Sequence, residues 1–136
     1  MLDWSKTDNI AVSLVGDLYI WSHSSRTAYN FLSLPEETSM LDNTNNANFG
    51  YITSVKWTPD GKNIAVGISD GVTEVWDVTK EKCLTRIFNH SSAVSSLAWN
   101  QHVLTSGDKM GKILNHDMRV STKNSISEIK YHKGRL

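Results

Sequence analysis

Hydrophobic and polar residues alternate along this chain in short runs, and each run is bounded by turn-forming residues. Ile52-Thr53-Ser54-Val55-Lys56-Trp57 alternates with a period of two, which predicts a strand with two unlike faces. Thr58-Pro59-Asp60-Gly61-Lys62 then reads as a turn. Ile64-Ala65-Val66-Gly67-Ile68 is apolar almost throughout, which predicts a strand buried on both faces. After Ser69-Asp70-Gly71 the alternation returns in Thr73–Asp77, and a fourth strand runs from Leu84 to Phe88. These four runs make one antiparallel meander.

The same plan occurs on either side. Downstream, strands are predicted at Val94–Trp99, His102–Ser106, Lys112–Asp117 and Ser125–Ile129. Upstream they fall at Leu2–Trp4, Ile10–Leu14, Leu18–Trp21 and Ala28–Leu32. The stretch from Pro35 to Phe49 is polar, rich in Asn and without periodicity, which predicts a surface loop insertion. No long helix is visible.

The repeat has a measurable period. Trp57 lies 42 residues before Trp99, His90 lies 42 before His132, and Trp76-Asp77 lies 40 before His116-Asp117. Trp4 and Trp21 mark the first unit, at spacings lengthened by the insertion. Gly16, Gly71 and Gly111 each stand five residues before Trp21, Trp76 and His116, where a tight turn needs a positive φ. A period of about 40–45 residues is that of a propeller blade. The predicted fold is therefore all-β: a WD-repeat β-propeller fragment of three four-stranded antiparallel blades, not closed. Blade one takes residues 1–34, the insertion 35–49, blade two 50–89 and blade three 90–131. Residues 132–136 read as the start of a truncated fourth blade.

Composition narrows the function. The chain has 136 residues, with 14 Lys plus Arg against 14 Asp plus Glu, so its net charge is zero. Binding nucleic acid through bulk charge is not expected of such a chain. No run approaches the roughly 18–20 apolar residues of a membrane span. Asp3, Lys6, Asp8 and Asp17 interrupt the first twenty residues, so no secretory segment is read there, and an intracellular protein is expected. The lone Cys83 makes no internal disulfide and is read as an ordinary thiol.

The residue pattern resembles WD repeats, and more narrowly the Fizzy family of cell-division-cycle activators of the anaphase-promoting complex. Leu2-Asp3-Trp4-Ser5 followed by Leu18-Tyr19-Ile20-Trp21-Ser22 is similar to that family's opening blade. Ser54-Val55-Lys56-Trp57 and Glu74-Val75-Trp76-Asp77-Val78 continue the likeness. In the third unit, Ser96-Leu97-Ala98-Trp99-Asn100 precedes His116-Asp117-Met118-Arg119, with His-Asp in place of the usual Trp-Asp.

The resemblance implies an adaptor that activates the ubiquitin ligase and recruits substrates through short degrons, the destruction box and the KEN box, performing no chemistry itself. Its implied partners are anaphase-promoting complex subunits and degron-containing proteins, with no nucleic acid, membrane, small-molecule ligand or cofactor. Asp3, in the Asp-Trp-Ser motif, would help hold a KEN-type peptide. The family's anchoring N-terminal extension and C-terminal Ile-Arg tail are not seen in these residues. Its destruction-box site joins the first blade to the last, so an open arc alone is expected not to complete that site. A generic WD-repeat scaffold without degron binding is the alternative.

Other chemistry is weighed against these. The five Trp are read as blade-core residues. His23, His90, His102, His116 and His132 show no zinc-type spacing, so no metal is expected. His116-Asp117 lacks a nucleophile elbow, and Gly107–Lys112 reads as a hairpin rather than a phosphate loop, so no catalytic residues are assigned. In WD repeats a His joins a buried network with a strand Ser, a turn Asp and the Trp. His90 and Ser106 fit that pattern, but Met110 stands where the turn Asp is expected and His116 replaces the Trp, so the network is expected to be incomplete. In unit two, Asp70 and Trp76 fit while Gly50-Tyr51 replaces the Gly-His pair.

Overall fold

The computed structural model describes residues 1–34, 50–88 and 90–119, together with the backbone of Ile126–Ile129. The expected insertion at 35–49, the start of a further blade at 132–136 and His132 lie outside the described residues.

Twelve strands form three antiparallel sheets in sequence order. Blade one holds β1 (Leu2–Trp4), β2 (Asn9–Leu14), β3 (Asp17–Ser22) and β4 (Thr27–Ser33). Blade two holds β5 (Ile52–Trp57), β6 (Asn63–Ile68), β7 (Thr73–Asp77) and β8 (Lys82–Ile87). Blade three holds β9 (Val94–Asn100), β10 (Val103–Asp108), β11 (Ile113–Asp117) and β12 (Ile126–Ile129). Every strand expected from the alternation is present, and no helix occurs among the described residues. The first strands adjoin, β1 against β5 and β5 against β9, so the blades fan out from a common inner edge as an open arc.

The core lies between the blades rather than within any one sheet. Ala11, Leu18 and Ile20 of blade one pack with Val55, Trp57, Ile64, Val66 and Ile68 of blade two. Ala65, Val75 and Ile87 pack with Leu104, with Leu97, Trp99 and Met118 at the margin. Alternate residues of β6 thus enter different clusters: Ile64, Val66 and Ile68 on one side, Ala65 on the other. That explains its nearly unbroken apolar run, since each face of the strand meets another blade.

Two expectations are corrected. The Trp residues are not uniformly core. Trp57 is 4% exposed, but Trp4 is 61% exposed, and Trp21, Trp76 and Trp99 are half-buried. Burial of a blade Trp depends on the neighbouring blade, which the repeat pattern does not reveal. The glycines also differ. Gly71 and Gly111 have φ of 96° and 90°, but in blade one the positive φ belongs to Val15 at 55°, and Gly16 lies outside the left-handed region. That hairpin is tighter, pairing Leu14 with Asp17 directly, so the left-handed position shifts by one residue.

Candidate functional site

Asp3 stands in the middle of β1, flanked by Leu2 and Trp4, whose side chains take the opposite face of a pleated strand. Its carboxylate therefore points to the seam with blade two. Oδ2 accepts the Trp57 backbone N–H at 2.7 Å, and Oδ1 lies 3.6 Å from the Lys56 ammonium. The Asp3 carbonyl accepts the Trp57 indole N–H at 3.1 Å. The next seam repeats the last contact, as the Trp99 indole donates to the Lys56 carbonyl at 3.2 Å. One rule covers both: a first-strand Trp donates to the carbonyl of the residue just before the equivalent Trp in the preceding blade. The Asp3 side chain is 18% exposed. The residue singled out for peptide contact is thus engaged first in joining two blades.

β5 reaches forward as well. Thr53 and Ser54 hydroxyls both donate to the Val94 carbonyl, at 2.6 and 2.9 Å. Gly67 sits beneath this contact, where a Cβ would collide with Ser54 Oγ and Val94.

The His90 network is more complete than expected. His90 Nδ1 lies 2.9 Å from Asp108 Oδ2, and Nε2 lies 2.7 Å from Ser106 Oγ. Asp108, not position 110, supplies the carboxylate, because β10 runs on to Asp108 while Met110 is 73% exposed at the hairpin tip. Asp108 Oδ1 also accepts the backbone N–H groups of Met110 and Lys112. Burial pushes the Asp108 carboxyl up, but hydrogen bonds from His90, Lys112 and Met110 outweigh it and hold the group below the usual carboxylate range. With Asp108 ionised, Nδ1 carries the proton that it donates.

An Asp-His-Ser chain has the connectivity of a hydrolytic triad. Here His90 is 5%, Ser106 4% and Asp108 0% exposed, so a substrate has no approach to the hydroxyl. The arrangement ties the segment entering blade three to β10. Blade two replaces it with apolar contact: Val66 and Ile68 stand at the register positions of Ser106 and Asp108, and Gly50 lies against Ile68. Tyr51 is exposed, and Asp70 is exposed with its carboxylate on the Val72 N–H of its own turn, so neither joins a buried network.

Gly71 links the two blades. Its φ of 96° is left-handed, and a Cβ there would strike the His90 carbonyl. The β6–β7 hairpin can thus lie directly on the backbone leading into blade three.

The signature Asp residues close turns. Asp77 Oδ1 accepts the Lys80 N–H at 3.1 Å, and Asp117 Oδ1 accepts the Arg119 N–H at 3.0 Å. Arg119 adds a two-pronged contact through Nε and Nη2 at 3.1 and 2.8 Å. These Arg119 hydrogen bonds hold the Asp117 carboxyl down at about 2. The Arg of the His-Asp-Met-Arg sequence is thereby explained locally. Burial pushes the His116 imidazole below its usual value, with Asp117 opposing.

One residue pattern gave no warning of its environment. Glu74 is 2% exposed, and Arg86, its register partner on β8, meets it at 2.6 Å, with the Trp76 indole at 3.4 Å. Phe31 of β4 sets its edge against Trp76 at 5.7 Å, so this polar group sits behind an aromatic seam between blades one and two. The alternation in Thr73–Asp77 hides this, because β7 is buried on both sides.

Among the described residues no three His, Cys, Asp or Glu side chains form a group fit for a metal ion. Cys83 is half-buried, and burial raises its thiol pKa, so it is a poor nucleophile. A cleft of about 350 Å³ opens between blades two and three, with Trp99, Val75 and Met118 among its apolar lining and Asp60 and His102 among its polar lining.

The family described as "Anaphase-promoting complex subunit 4 WD40 domain" matches residues 2–102. "Cell division cycle 20.5, cofactor of APC complex" of Arabidopsis thaliana is 36% identical over 129 residues, covering 94% of this chain and 26% of that protein. "WD repeat-containing protein slp1" of Schizosaccharomyces pombe is 33% identical over 121 residues, 89% of this chain and 22% of that protein. "Meiotic fizzy-related protein 1" of the same yeast is 36% identical over 119 residues, 88% of this chain and 25% of that protein. The chain thus spans about a quarter of the length of these relatives. A chain in the crystal structure of the mitotic checkpoint complex superposes with a TM-score of 0.85 at 30% identity, covering 99% of this chain and 37% of that one. RRP9 WD40 repeats superpose at 0.76 with 19% identity, covering 98% of this chain and 39% of that one, a likeness of fold. The three-bladed arc and the match across residues 2–102 show that the chain belongs to the family described as the anaphase-promoting complex subunit 4 WD40 domain, with a cell-division-cycle 20 cofactor and a meiotic Fizzy-related protein among its relatives.

Proposed function

We propose that the chain is part of a substrate-recruiting activator of the anaphase-promoting complex, acting by holding partners rather than by catalysis. The observation that carries this reading is the identity of 33–36% with cofactors and Fizzy-related proteins across 88–94% of the chain. Its partners are then subunits of that ligase and proteins bearing destruction-box or KEN-box degrons, met in the nucleus and cytoplasm. Asp3 contributes to a KEN-type peptide site through its 18% of exposed side chain, while the rest of the carboxylate stays on Trp57 and Lys56. A carboxylate partly fixed in this way presents a preorganised acceptor to a peptide amide or ammonium.

The second reading, a WD-repeat scaffold without degron binding, is favoured by that same engagement of Asp3 with blade two. Capture of destruction-box and KEN-box peptides separates the two. Since the chain spans about a quarter of its relatives, it is tested in place of the matching 129 residues of the Arabidopsis relative. Retained capture supports the activator reading, and loss of capture by a folded chimaera supports the scaffold.

A further inference from the structure

The three blades can be compared with one another where the third strand ends. Ser22, Asp77 and Asp117 hold one register position, opposite Asn9, Asn63 and Val103 of the second strands. The next residue confirms the alignment. The N–H groups of His23, Val78 and Met118 donate to the Asp8, Lys62 and His102 carbonyls at 3.2, 3.2 and 2.9 Å. Blades one and two then share a turn that ends on a left-handed residue, Arg26 in one and Glu81 in the other, each with φ of 53°.

One chemical group differs. Asp77 accepts the N–H three residues on, that of Lys80, and Asp117 accepts the N–H two residues on, that of Arg119. Ser22 presents a neutral hydroxyl instead, and it hydrogen-bonds only to the Ser24 hydroxyl at 3.0 Å. The Ser25 N–H, equivalent to that of Lys80, has no acceptor among the described residues. A cation is nevertheless present. Arg119 pairs with Asp117 at 2.8 Å in blade three, whereas Arg26 forms no ion pair among the described residues. Blade one thus keeps the turn, the backbone donor and the cation, and has serine where the other two blades have an anion.

The turn is also open to an enzyme. Every residue from His23 to Asn30 is exposed, and β4 is an edge strand, so this segment can lift without opening the core.

We propose that Ser22 is a phosphorylation site, and that its phosphate closes the turn of blade one on the Ser25 N–H and the Arg26 guanidinium, as the carboxylates close the turns of blades two and three. The phosphoryl donor is a nucleoside triphosphate bound to a separate protein kinase. Ser22 Oγ attacks the γ-phosphorus and its proton passes to a base of that kinase. The bond to the nucleoside diphosphate breaks and the diphosphate leaves. The serine then carries about two negative charges and three strong acceptor oxygens beside an arginine, the arrangement in which a phosphate orders a turn.

Two measurements test this. Phosphopeptide mass spectrometry of the protein isolated from its own cells, with phosphatases inhibited, should place phosphate on Ser22. A phosphate confined to Ser24 or Ser25, or none, overturns the proposal. The second measurement uses the chain synthesised with phosphoserine at position 22. Hydrogen exchange at the Ser25 amide should slow about tenfold relative to the unmodified chain, the scale of one charge-assisted hydrogen bond. Phosphatase treatment should reverse the slowing, and Arg26→Gln should diminish it. Ser22→Asp should reproduce part of the slowing and Ser22→Ala none. Unchanged or faster exchange at Ser25, or a lowered denaturation midpoint in the phosphorylated chain, overturns the proposal.

Discussion

Asp3 and Trp57 are joined twice across the first seam: the Asp3 carboxylate accepts the Trp57 backbone N–H at 2.7 Å, and its carbonyl accepts the indole N–H at 3.1 Å. The two residues are 54 positions apart, so this pair fixes blade two against blade one independently of the connecting loop. Asp3→Ala leaves the Trp57 N–H of a buried residue without its acceptor, a loss of about 1–3 kcal/mol. A lowered denaturation midpoint is expected, with Asp3→Asn milder because an amide oxygen still accepts.

Trp57 and Trp4 are equivalent in sequence and unlike in surroundings. Trp57→Ala should cost about 3–5 kcal/mol, as for other buried aromatic truncations. Trp4→Ala should change the stability of the dilute monomer by less than about 0.5 kcal/mol. Denaturant titrations of the two variants check the contrast, and equal losses would refute the assignment of blade faces.

The His90–Asp108–Ser106 network predicts an acid-sensitive contribution. The Asp108 carboxyl is depressed by folding, so its stabilisation is full above about pH 4, the unfolded carboxylate value, and is lost as pH falls through the lower folded value. Asp108→Ala leaves the buried His90 imidazole and the Met110 and Lys112 N–H groups without their acceptor and should cost about 1–3 kcal/mol at neutral pH. The variant's midpoint should also lose that part of the decline below pH 4. An unchanged acid profile would show that Asp108 is not ionised in the fold.

Two of the turn glycines, Gly71 and Gly16, should behave differently. Gly71→Ala combines a left-handed φ of 96° with a collision against the His90 carbonyl, and should cost about 1–3 kcal/mol. Gly16→Ala has ordinary φ and its nearest neighbour 3.5 Å away, and should stay within about 0.5 kcal/mol. Thermal melts of both variants distinguish them.

Carbon-detected titration of Asp117 should give a pKa of about 2, because the Arg119 guanidinium and backbone N–H both hold its carboxylate. Arg119→Ala should return it towards the ordinary value. An unshifted Asp117 in the parent chain would remove the local explanation for that Arg.

The architecture was legible because a sheet of period-two strands and a repeat of fixed length are written directly in residue types. All twelve strands follow from alternation and turns. What the repeat hid were contacts between units. Trp4, Trp57 and Trp99 look identical along the chain, yet their burial depends on whether another blade packs ahead. Asp108 was hidden for a different reason. Gly107 and Asp108 follow the apolar part of β10 and read as a turn, but they pair across an irregular step with Ser96 and Val94, and the strand extension carries the carboxylate to His90. Asp3 was found by its motif, while its hold on Trp57 depends on a contact 54 residues away.

Activation of the ligase by the protein of which this chain is part is a proposal with a direct test. The most direct measurement places this chain in the Arabidopsis relative, in exchange for the matching 129 residues, and follows ubiquitylation of a destruction-box substrate by purified anaphase-promoting complex. The account predicts degron-dependent ubiquitylation within tenfold of the parent cofactor. A folded chimaera that binds the ligase yet ubiquitylates no degron substrate above the level without cofactor would contradict it.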